Sequence, residues 1–299
     1  MKNSIKEKNS IYNINLTLII SLIPLILYGI YKNGFILYQK EYLSLFQLLL
    51  LIIMPIGSFC VGLLVEYLFN IQKKGKIFTI NSFLPLYGLI INCIINPSIN
   101  IFLFWGILFV LLILIKKLST VKIISINYIV VVKIVIILIL IILGKNTYNN
   151  LYENHASLAF GLTDIIFGRS TGGLFSTNIF LILVALIYLS FAKFYKKEIP
   201  FYLLGTYILL TLVITIIEKD NINIFLNISN SMVFFGAVFV APEMISSPYT
   251  KKGRKLYGIL VGILTVIFIK FIDSTDGVFV AILIGGFLVK FIDKFFALK

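Results

Sequence analysis

The sequence predicts an all-α membrane protein that crosses the bilayer many times. Of its 299 residues, 60% are apolar and only 13% are charged, and the mean hydropathy is +1.06. Soluble domains carry about 25% charged residues. Successive apolar runs of about 17 to 25 residues fit helices that span a hydrocarbon core of about 30 Å. These observations exclude an ordinary water-soluble fold.

Ten apolar runs follow one another along the chain. The first follows a polar tail without a small-residue cleavage site, so we expect a retained helix rather than a signal peptide. The predicted helices cover about residues 16–31, 42–69, 82–95, 101–115, 123–143, 177–192, 201–217, 230–241, 256–272 and 277–296.

The basic residues predict the orientation of these helices, because Lys and Arg concentrate in cytoplasmic loops. Of the 26 basic residues, 19 fall in the N-terminal tail, the alternate connections and the C-terminal end, and five fall on the opposite side. We therefore predict cytoplasmic termini, a multi-pass protein of the plasma membrane and an extracytoplasmic loop at 144–176. Topology and contact with anionic lipid account for the net charge of +14, and no nucleic-acid partner is expected.

The ten helices divide into two five-helix repeats, residues 1–143 and 177–299, on either side of the outer loop. An odd number of helices in each repeat gives the repeats opposite orientations, and such inverted repeats place the binding site at their interface near the midplane. The third and eighth helices share an Asn-Ser start, a glycine and a terminating proline, at Asn81, Gly88 and Pro97 and at Asn230, Gly236 and Pro242.

Residues 230–254 are the most informative stretch. A short apolar run breaks at Pro242, Glu243 follows, and a second proline, Pro248, precedes a basic turn. Irregular backbone at membrane depth is tolerated only where it is buried in protein or lines a cavity, and broken helices point to binding sites. Glu243 is therefore a candidate for a cation or proton path. The alternative is a residue that caps the start of a cytoplasmic loop.

Two segments resemble the RnfD/NqrB family, the membrane subunits of the Rnf complex and of the sodium-translocating NADH:quinone reductase. Residues 239–248 and Thr250-Lys-Lys-Gly-Arg254 are similar to its F-M-A-T-D-P-V-T-S-P-x-T-K-K-G-R signature. Asp164 and residues 167–177 resemble its D-x-F-x-G-N-x-x-G-S-x-G-E-T-S segment. The resemblance implies ten helices in inverted repeats and electron transfer through flavin, coupled to Na⁺ or H⁺.

The chain also departs from the family pattern. Family members carry an S/T-G-A-T tetrapeptide in the outer loop, whose last threonine binds FMN through a phosphoester, and this tetrapeptide is absent here. The family serine, glycine and glutamate of the second segment fall on Gly173, Phe175 and Ser176, and Glu243 replaces the signature aspartate. We expect a divergent member that binds FMN or riboflavin non-covalently.

The predicted cofactor-binding residues come from these two segments. Backbone N–H groups at a helix N-terminus favour a phosphate, and hydroxyl groups donate hydrogen bonds to a flavin. The alternatives are a plain re-entrant loop and hydroxyls that satisfy carbonyls freed by proline. The predicted set is Gly168, Arg169, Gly172, Gly173, Ser176, Thr177, Ser246, Ser247 and Thr250.

Lys133 joins Glu243 as a candidate for an ion or proton path. It lies about ten residues into the fifth predicted helix, where a charge is costly and often functional. The alternative is a structural lysine buried against polar partners. No nucleophile–base constellation and no metal-ligand spacing are visible in the sequence, so no catalytic or metal residues are predicted.

Three functions remain open. The first is a membrane subunit of an Rnf/Nqr-like complex that works with other membrane and peripheral redox subunits. The second is a transmembrane electron conduit to separate extracytoplasmic flavoproteins, which the missing attachment motif favours. The third is a transporter or channel for a small solute on the same scaffold, without redox activity. The sequence contains no NADH site and no iron–sulfur motif, so partners must supply electrons and the chain alone is not expected to be a complete enzyme.

Overall fold

The protein is described from a computed structural model that covers residues 11–72, 82–95, 100–118, 126–142, 162–168, 172–218, 228–272 and 276–297. These residues form eleven helices and no strand. The helices are α1 (Ile11–Gln39), α2 (Leu45–Gln72), α3 (Leu84–Ile94), α4 (Ile101–Leu118), α5 (Tyr128–Ile142), α6 (Leu162–Ile166), α7 (Ile179–Ser190), α8 (Glu198–Ile217), α9 (Ser231–Val240), α10 (Lys251–Ile272) and α11 (Gly277–Ala297).

All ten predicted segments contain a helix, and α6 is an additional short one. Among the described helices, three are long and apolar enough by length and composition to cross a membrane, namely Ile11–Gln39, Leu45–Ile71 and Glu198–Ile217. Four shorter helices are also apolar, namely Leu84–Ile94, Tyr128–Ile139, Ile179–Ser190 and Ser231–Val240. The number of crossings and the inverted repeat stay predictions.

Large apolar side chains cover much of the surface. Phe191 and Ile142 are each 83% exposed, and Phe271 is 81% exposed. Soluble monomers rarely expose contiguous apolar surface on this scale, whereas lipid-facing helices do. The exposed faces therefore agree with a helical membrane protein.

The first of two compact units consists of Met1–Val121, Val135–Ser157 and Gly173–Phe175. Helix α3 is buried along its whole length and packs against α2. At Gly88, an added Cβ atom would lie 2.3 Å from the carbonyl oxygen of Ser58, and at Gly62 it would lie 2.5 Å from the Cα of Pro85. Small residues let membrane helices approach this closely.

The second unit consists of Lys122–Ile134, Leu158–Gly172 and Ser176–Lys299. Here α10 packs against both α8 and α11. Gly258 and Gly262, one helical turn apart, bring α10 against the backbone of α8: added Cβ atoms would lie 2.9 Å from the carbonyl oxygens of Ile199 and Leu203 respectively. Every residue of α9 is buried, and α9 contacts α7, α8 and α11.

Two predicted boundaries are wrong. Residues 251–255 form the first turn of α10 rather than a turn before it, because Thr250 caps that helix: its Oγ1 accepts a hydrogen bond from the N–H of Gly253 at 3.1 Å. Helix α5 begins at Tyr128 rather than near residue 123, and Asn127 before it is not helical.

Candidate functional site

The predicted broken helix is present as α9. Asn230 caps its start by accepting a hydrogen bond from the N–H of Met232 at 3.1 Å. From Gly236 onward the helix widens into a π turn, which closes with a bond of 2.8 Å from the N–H of Ala241 to the carbonyl of Gly236. Pro242 then ends the helix, since proline has no N–H to continue it. π turns inside α-helices often lie at functional sites.

Two buried side chains bond the carbonyls at the end of α9. The hydroxyl of Tyr195 donates to the carbonyl of Val238 at 2.8 Å, and Nδ2 of Asn127 donates to the carbonyl of Val240 at 2.8 Å. Oδ1 of Asn127 also accepts the N–H of Val130 at 3.3 Å, so this one side chain caps α5 as well. Burial raises the pKa of Tyr195 well above its ordinary value, so its hydroxyl stays a donor.

Lys196 holds the irregular segment that follows α9, residues 241–250. Its side chain is buried, and Nζ donates to the carbonyl of Ser247 at 2.9 Å, to Oγ of Ser247 at 2.7 Å and to the carbonyl of Met244 at 3.3 Å. Burial lowers the pKa of Lys196 to about 8, and the positive charge of Arg254 acts in the same direction. The carboxylates of Glu243 and Asp293 oppose this shift.

Glu243 lies half-buried inside the same segment. Ser246 donates a hydrogen bond to its carboxylate, and Ser247 donates one to its backbone carbonyl. The carboxylate is thus next to one hydroxyl and within electrostatic reach of the Lys196 ammonium. A half-buried acid in such surroundings can exchange a proton or attract a cation.

Charged side chains also hold the C-terminal part of the segment 241–250 in place. Arg254 donates to the carbonyl of Tyr249 at 3.1 Å and to the carboxylate of Glu198 at 3.4 Å. The N–H of Tyr249 donates to the carboxylate of Asp293 at 3.0 Å. Three helices, α8, α10 and α11, therefore each contribute a charged side chain that positions this stretch of backbone.

Several of the predicted cofactor-binding residues of the segment 168–177 lie near the start of α9. Ser176 is fully buried and its hydroxyl donates to Sδ of Met232 at 3.3 Å, and Thr177 beside it is also buried. An added Cβ atom on Gly172 would lie 2.9 Å from Oγ of Ser231. Gly168 follows α6 with a φ of 90°, a conformation that favours glycine. Arg169 lies outside the described residues.

Gly173 begins a short stretch that belongs to the first unit. There the N–H of Leu174 donates to the carbonyl of Ile95 at 2.8 Å, and the N–H of Phe175 donates to the carbonyl of Cys93 at 3.1 Å. Nδ2 of Asn33 donates to the carbonyl of Leu174 at 2.6 Å. The stretch thus satisfies carbonyls at the end of α3.

The structure does not bring the two predicted groups of the second unit together. Ser176 contacts the start of α9, whereas residues 246–250 follow its end. A helix of this length is about 15 Å long at 1.5 Å per residue. Ser176 therefore lies at the opposite end of α9 from residues 246–250.

Lys133 is buried in α5 and ion-paired. Its Nζ donates to the carboxylate of Asp276, which precedes α11, and lies 3.6 Å from the ring centroid of Phe279. A buried ammonium requires such a partner because its desolvation is costly. The sequence offered Lys133 as a candidate without identifying Asp276 as the acid that it meets.

Sequence reasoning missed four residues that shape this region: Asn127, Tyr195, Lys196 and Asp276. Asn127 alone had a usable local signal, since an asparagine directly before an apolar run predicts a helix cap. Lys196 is one of the 19 basic residues that predict the cytoplasmic side, and nothing in the neighbouring sequence predicts its burial against residues 244–247.

The family model for the NQR2, RnfD, RnfE family matches residues 142–299, which include α7 to α11 and the segment 241–250. The chain belongs to this family. The predicted resemblance is thereby confirmed, and the apolar helices of a family of membrane subunits identify the chain as a membrane protein.

Individual members of the family are also similar in sequence to this chain. One is a component of the ion-translocating oxidoreductase complex of Methanosarcina acetivorans, which is 30% identical over 132 residues, 44% of this chain and 43% of the relative. The corresponding component from Actinobacillus succinogenes is 32% identical over 74 residues, 25% of this chain and 21% of the relative.

A component of the Na⁺-translocating NADH-quinone reductase of Chlamydia pneumoniae is 40% identical over 63 residues, 20% of this chain and 12% of the relative. Each of these three matches thus spans less than half of the relative's own length. Asn127 and Lys133 precede the stretch that the family model covers.

Proposed function

We propose that this chain is a membrane subunit of an Rnf/Nqr-like electron transport complex. In this proposal it is a multi-pass protein of the plasma membrane with two inverted five-helix repeats, and other membrane and peripheral redox subunits supply and remove the electrons. The observation that carries the proposal is the family match across the broken helix α9 and the segment 241–250. The relatives' own names describe subunits of ion-translocating oxidoreductases.

In this proposal the complex as a whole contains flavin. The hydroxyls predicted to bind it are engaged within the fold: Ser176 bonds Met232, Ser246 bonds Glu243, and Thr250 caps α10. In this structure each of these hydroxyls therefore has a partner within the protein. Whether the chain itself holds FMN or riboflavin non-covalently is decided by the spectrum described below.

Coupled ion movement is proposed at Glu243 and Lys133. Glu243 is half-buried beside Ser246 and within reach of the Lys196 charge, which suits a group that takes up or releases a proton or cation. Lys133 is paired with Asp276 at a separate position in the second unit. Glu243→Gln is expected to abolish redox-driven Na⁺ or H⁺ uptake while electron transfer continues. Lost electron transfer with intact uptake per electron would contradict this role.

The first test is an absorption and fluorescence spectrum of the purified protein with its co-purifying partners, before and after acid precipitation. Flavin in the supernatant supports a non-covalent cofactor and the electron-transfer function. Flavin in the pellet would contradict the expected absence of covalent attachment. A colourless preparation that retains its partners would overturn the redox function in favour of solute transport.

A second candidate is the electron conduit to extracytoplasmic flavoproteins. The absent S/T-G-A-T tetrapeptide and the engaged hydroxyls favour it over a chain that carries its own flavin. This candidate predicts a chain without flavin whose separated partners contain it. Measuring flavin in each polypeptide after separation distinguishes the two versions.

A further inference from the structure

A cavity of about 380 Å³ lies in the first unit, between the C-terminal parts of α2 and α4. The two helices pack directly together, and an added Cβ atom on Gly57 of α2 would lie 2.1 Å from Cζ2 of Trp105 of α4. The cavity lies further along both helices, between residues 68–71 and residues 113–117. Contacts thus advance in the same direction along both helices. The helices α2 and α4 are therefore parallel, and both of their C-terminal ends lie at the cavity.

The walls of the cavity are apolar and reach the surface of the protein. Leu68 and Ile71 are 43% and 49% exposed, and Phe69 and Ile113 are half-buried. Large apolar side chains on the surface of a membrane protein face the lipid tails. The cavity is therefore a place where an acyl chain can pack between two helices.

The sequence around the mouth of the cavity is strongly basic. Lys117 is the single polar residue among the described residues that line the cavity, and Lys116 lies beside it in the last turn of α4. Three more lysines follow α2 in the sequence, at positions 73, 74 and 76. No acidic residue occurs in the sequence between Glu66 and Glu153, and Glu66 is only 4% exposed. Two helix C-termini together carry about one negative elementary charge, which the lysines outnumber. The mouth therefore favours an anion.

Lysines in the last turn of a helix are also favoured by the helix dipole. The dipole explains Lys116 and Lys117, but it does not explain the apolar cavity that ends at them. A lysine can extend its ammonium from an apolar wall to the level of the lipid headgroups. Basic pockets between membrane helices bind acidic headgroups on the cytoplasmic side, and the basic residues predict that side for both helix ends.

We propose that the cavity between α2 and α4 binds one acidic phospholipid. Its acyl chain packs against Leu68, Ile71 and Ile113, and its phosphate meets the ammonium of Lys117. A ligand with an apolar tail and an anionic head matches both features, whereas a soluble anion matches only the lysines and a lipid without net charge matches only the walls. The volume lies within the range of about 300 to 1,000 Å³ that is typical of ligand pockets. The site depends on neither flavin nor electron transfer, so its failure would leave the proposed redox function untouched.

The test is a titration of the detergent-purified full chain with phosphatidylglycerol or with phosphatidylcholine of the same acyl chains, followed by native mass spectrometry. The first phosphatidylglycerol is expected to bind more tightly than phosphatidylcholine, since each lysine near the membrane surface attracts anionic lipid. Lys117→Gln is expected to weaken this binding about fivefold. Lys294→Gln is the matched control, because Lys294 lies in the last turn of α11 in the second unit and does not line the cavity. Equal affinities for the two lipids, or equal losses in the two variants, would overturn the site.

A variant that fills the cavity tests the acyl chain separately. Ile71→Trp is expected to displace the first phosphatidylglycerol, whereas Leu114→Trp should retain it, because Leu114 is also 49% exposed but does not line the cavity. Both positions are exposed, so neither substitution overpacks the core. Binding that survives Ile71→Trp would contradict the proposal, and competition by inorganic phosphate would assign the lysines to a soluble anion instead. The complex purified from membranes should retain the same lipid. If it retains none, a partner subunit covers the cavity and the proposal is wrong.

Discussion

The short buried helices α3 and α9, each in its own unit, end in different ways. The end of α3 is satisfied by backbone: the N–H groups of Leu174 and Phe175 donate to the carbonyls of Ile95 and Cys93. The end of α9 is satisfied by side chains, those of Asn127 and Tyr195, and Lys196 holds the segment beyond it. Both solutions meet the requirement that buried carbonyls be hydrogen-bonded.

The difference has consequences for stability and for function. Backbone donors persist whatever residue is present, so the end of α3 tolerates substitution. Side-chain donors can be lost by a single mutation, and a lysine also responds to pH. Of the two helix ends, the end of α9 is therefore the one whose stability depends on particular side chains and on pH. It lies within the stretch that the family model matches.

Asn127→Ala is expected to cause the largest loss of stability. It leaves the buried carbonyl of Val240 without its donor and removes the cap of α5, a combined cost of about 3 kcal/mol in the free energy of unfolding. Chemical denaturation in detergent measures this loss. Asn33→Ala is the matched control in the first unit: it also removes a buried amide, but the two backbone bonds at the end of α3 remain. Equal losses in the two variants would refute the comparison.

The second prediction concerns pH. The pKa of Lys196 is about 8 in the folded protein and near 10.5 when exposed, so between these values the unfolded chain binds more protons. The free energy of unfolding is therefore expected to rise from pH 8 toward pH 10, by the order of 2 kcal/mol. Above pH 10 the buried, neutral Tyr195 reverses the trend, because only the unfolded tyrosine then ionises.

Lys196→Met is the control for this pH dependence. It preserves the long side chain and removes the titrating group, so the rise between pH 8 and pH 10 is expected to disappear. Hydrogen exchange of residues 241–250 should also become faster in this variant, since three hydrogen bonds to that segment are lost. A rise with pH that persists in Lys196→Met would assign the titration to another group.

Much of this fold follows from apolar run lengths and basic-residue positions, because both reflect the bilayer rather than particular tertiary contacts. Ten predicted segments contain helices. The break at Pro242 was visible because a proline there is followed by polar residues and a second proline, whereas Pro24 and Pro55 stand in apolar runs and lie inside α1 and α2. The burial of Lys196 could not be predicted in this way, since its partners lie about fifty residues further along the chain.

The candidate site was predictable only in part. Glu243 and the segment after α9 were identified from the irregular sequence and from the family signature. The roles of Ser247 and Thr250 could not be identified from the sequence. A serine or threonine near a proline looks the same in the sequence whether its hydroxyl bonds a ligand, a lysine or a helix N-terminus. Thr250 did carry a local signal, as a threonine directly before a helical segment.

Tyr195→Phe is expected to have an intermediate effect. It keeps the buried ring and removes only the hydroxyl that bonds Val238, which should cost about 1 to 2 kcal/mol. Thermal unfolding measures the change. Tyr207→Phe is an informative comparison, because that tyrosine is also buried and its hydroxyl hydrogen-bonds Thr211 on its own helix, α8. If only Tyr195→Phe accelerates hydrogen exchange at residues 236–241, the hydroxyl stabilises the π turn. Unchanged exchange there would show that the turn is held by packing alone.

Thr250→Ala is expected to have the smallest effect and separates a structural role from a cofactor role. Loss of the cap on α10 should cost about 1 kcal/mol, and Thr250→Ser should restore it because serine caps equally well. The flavin content of the purified complex, measured beside the unfolding midpoint, distinguishes the roles. If Thr250 acts only as a cap, flavin content stays constant in both variants. A loss of flavin in Thr250→Ala that exceeds the fraction of unfolded protein would return Thr250 to the cofactor-binding set, and the end of α9 would then hold a ligand as well as its own backbone.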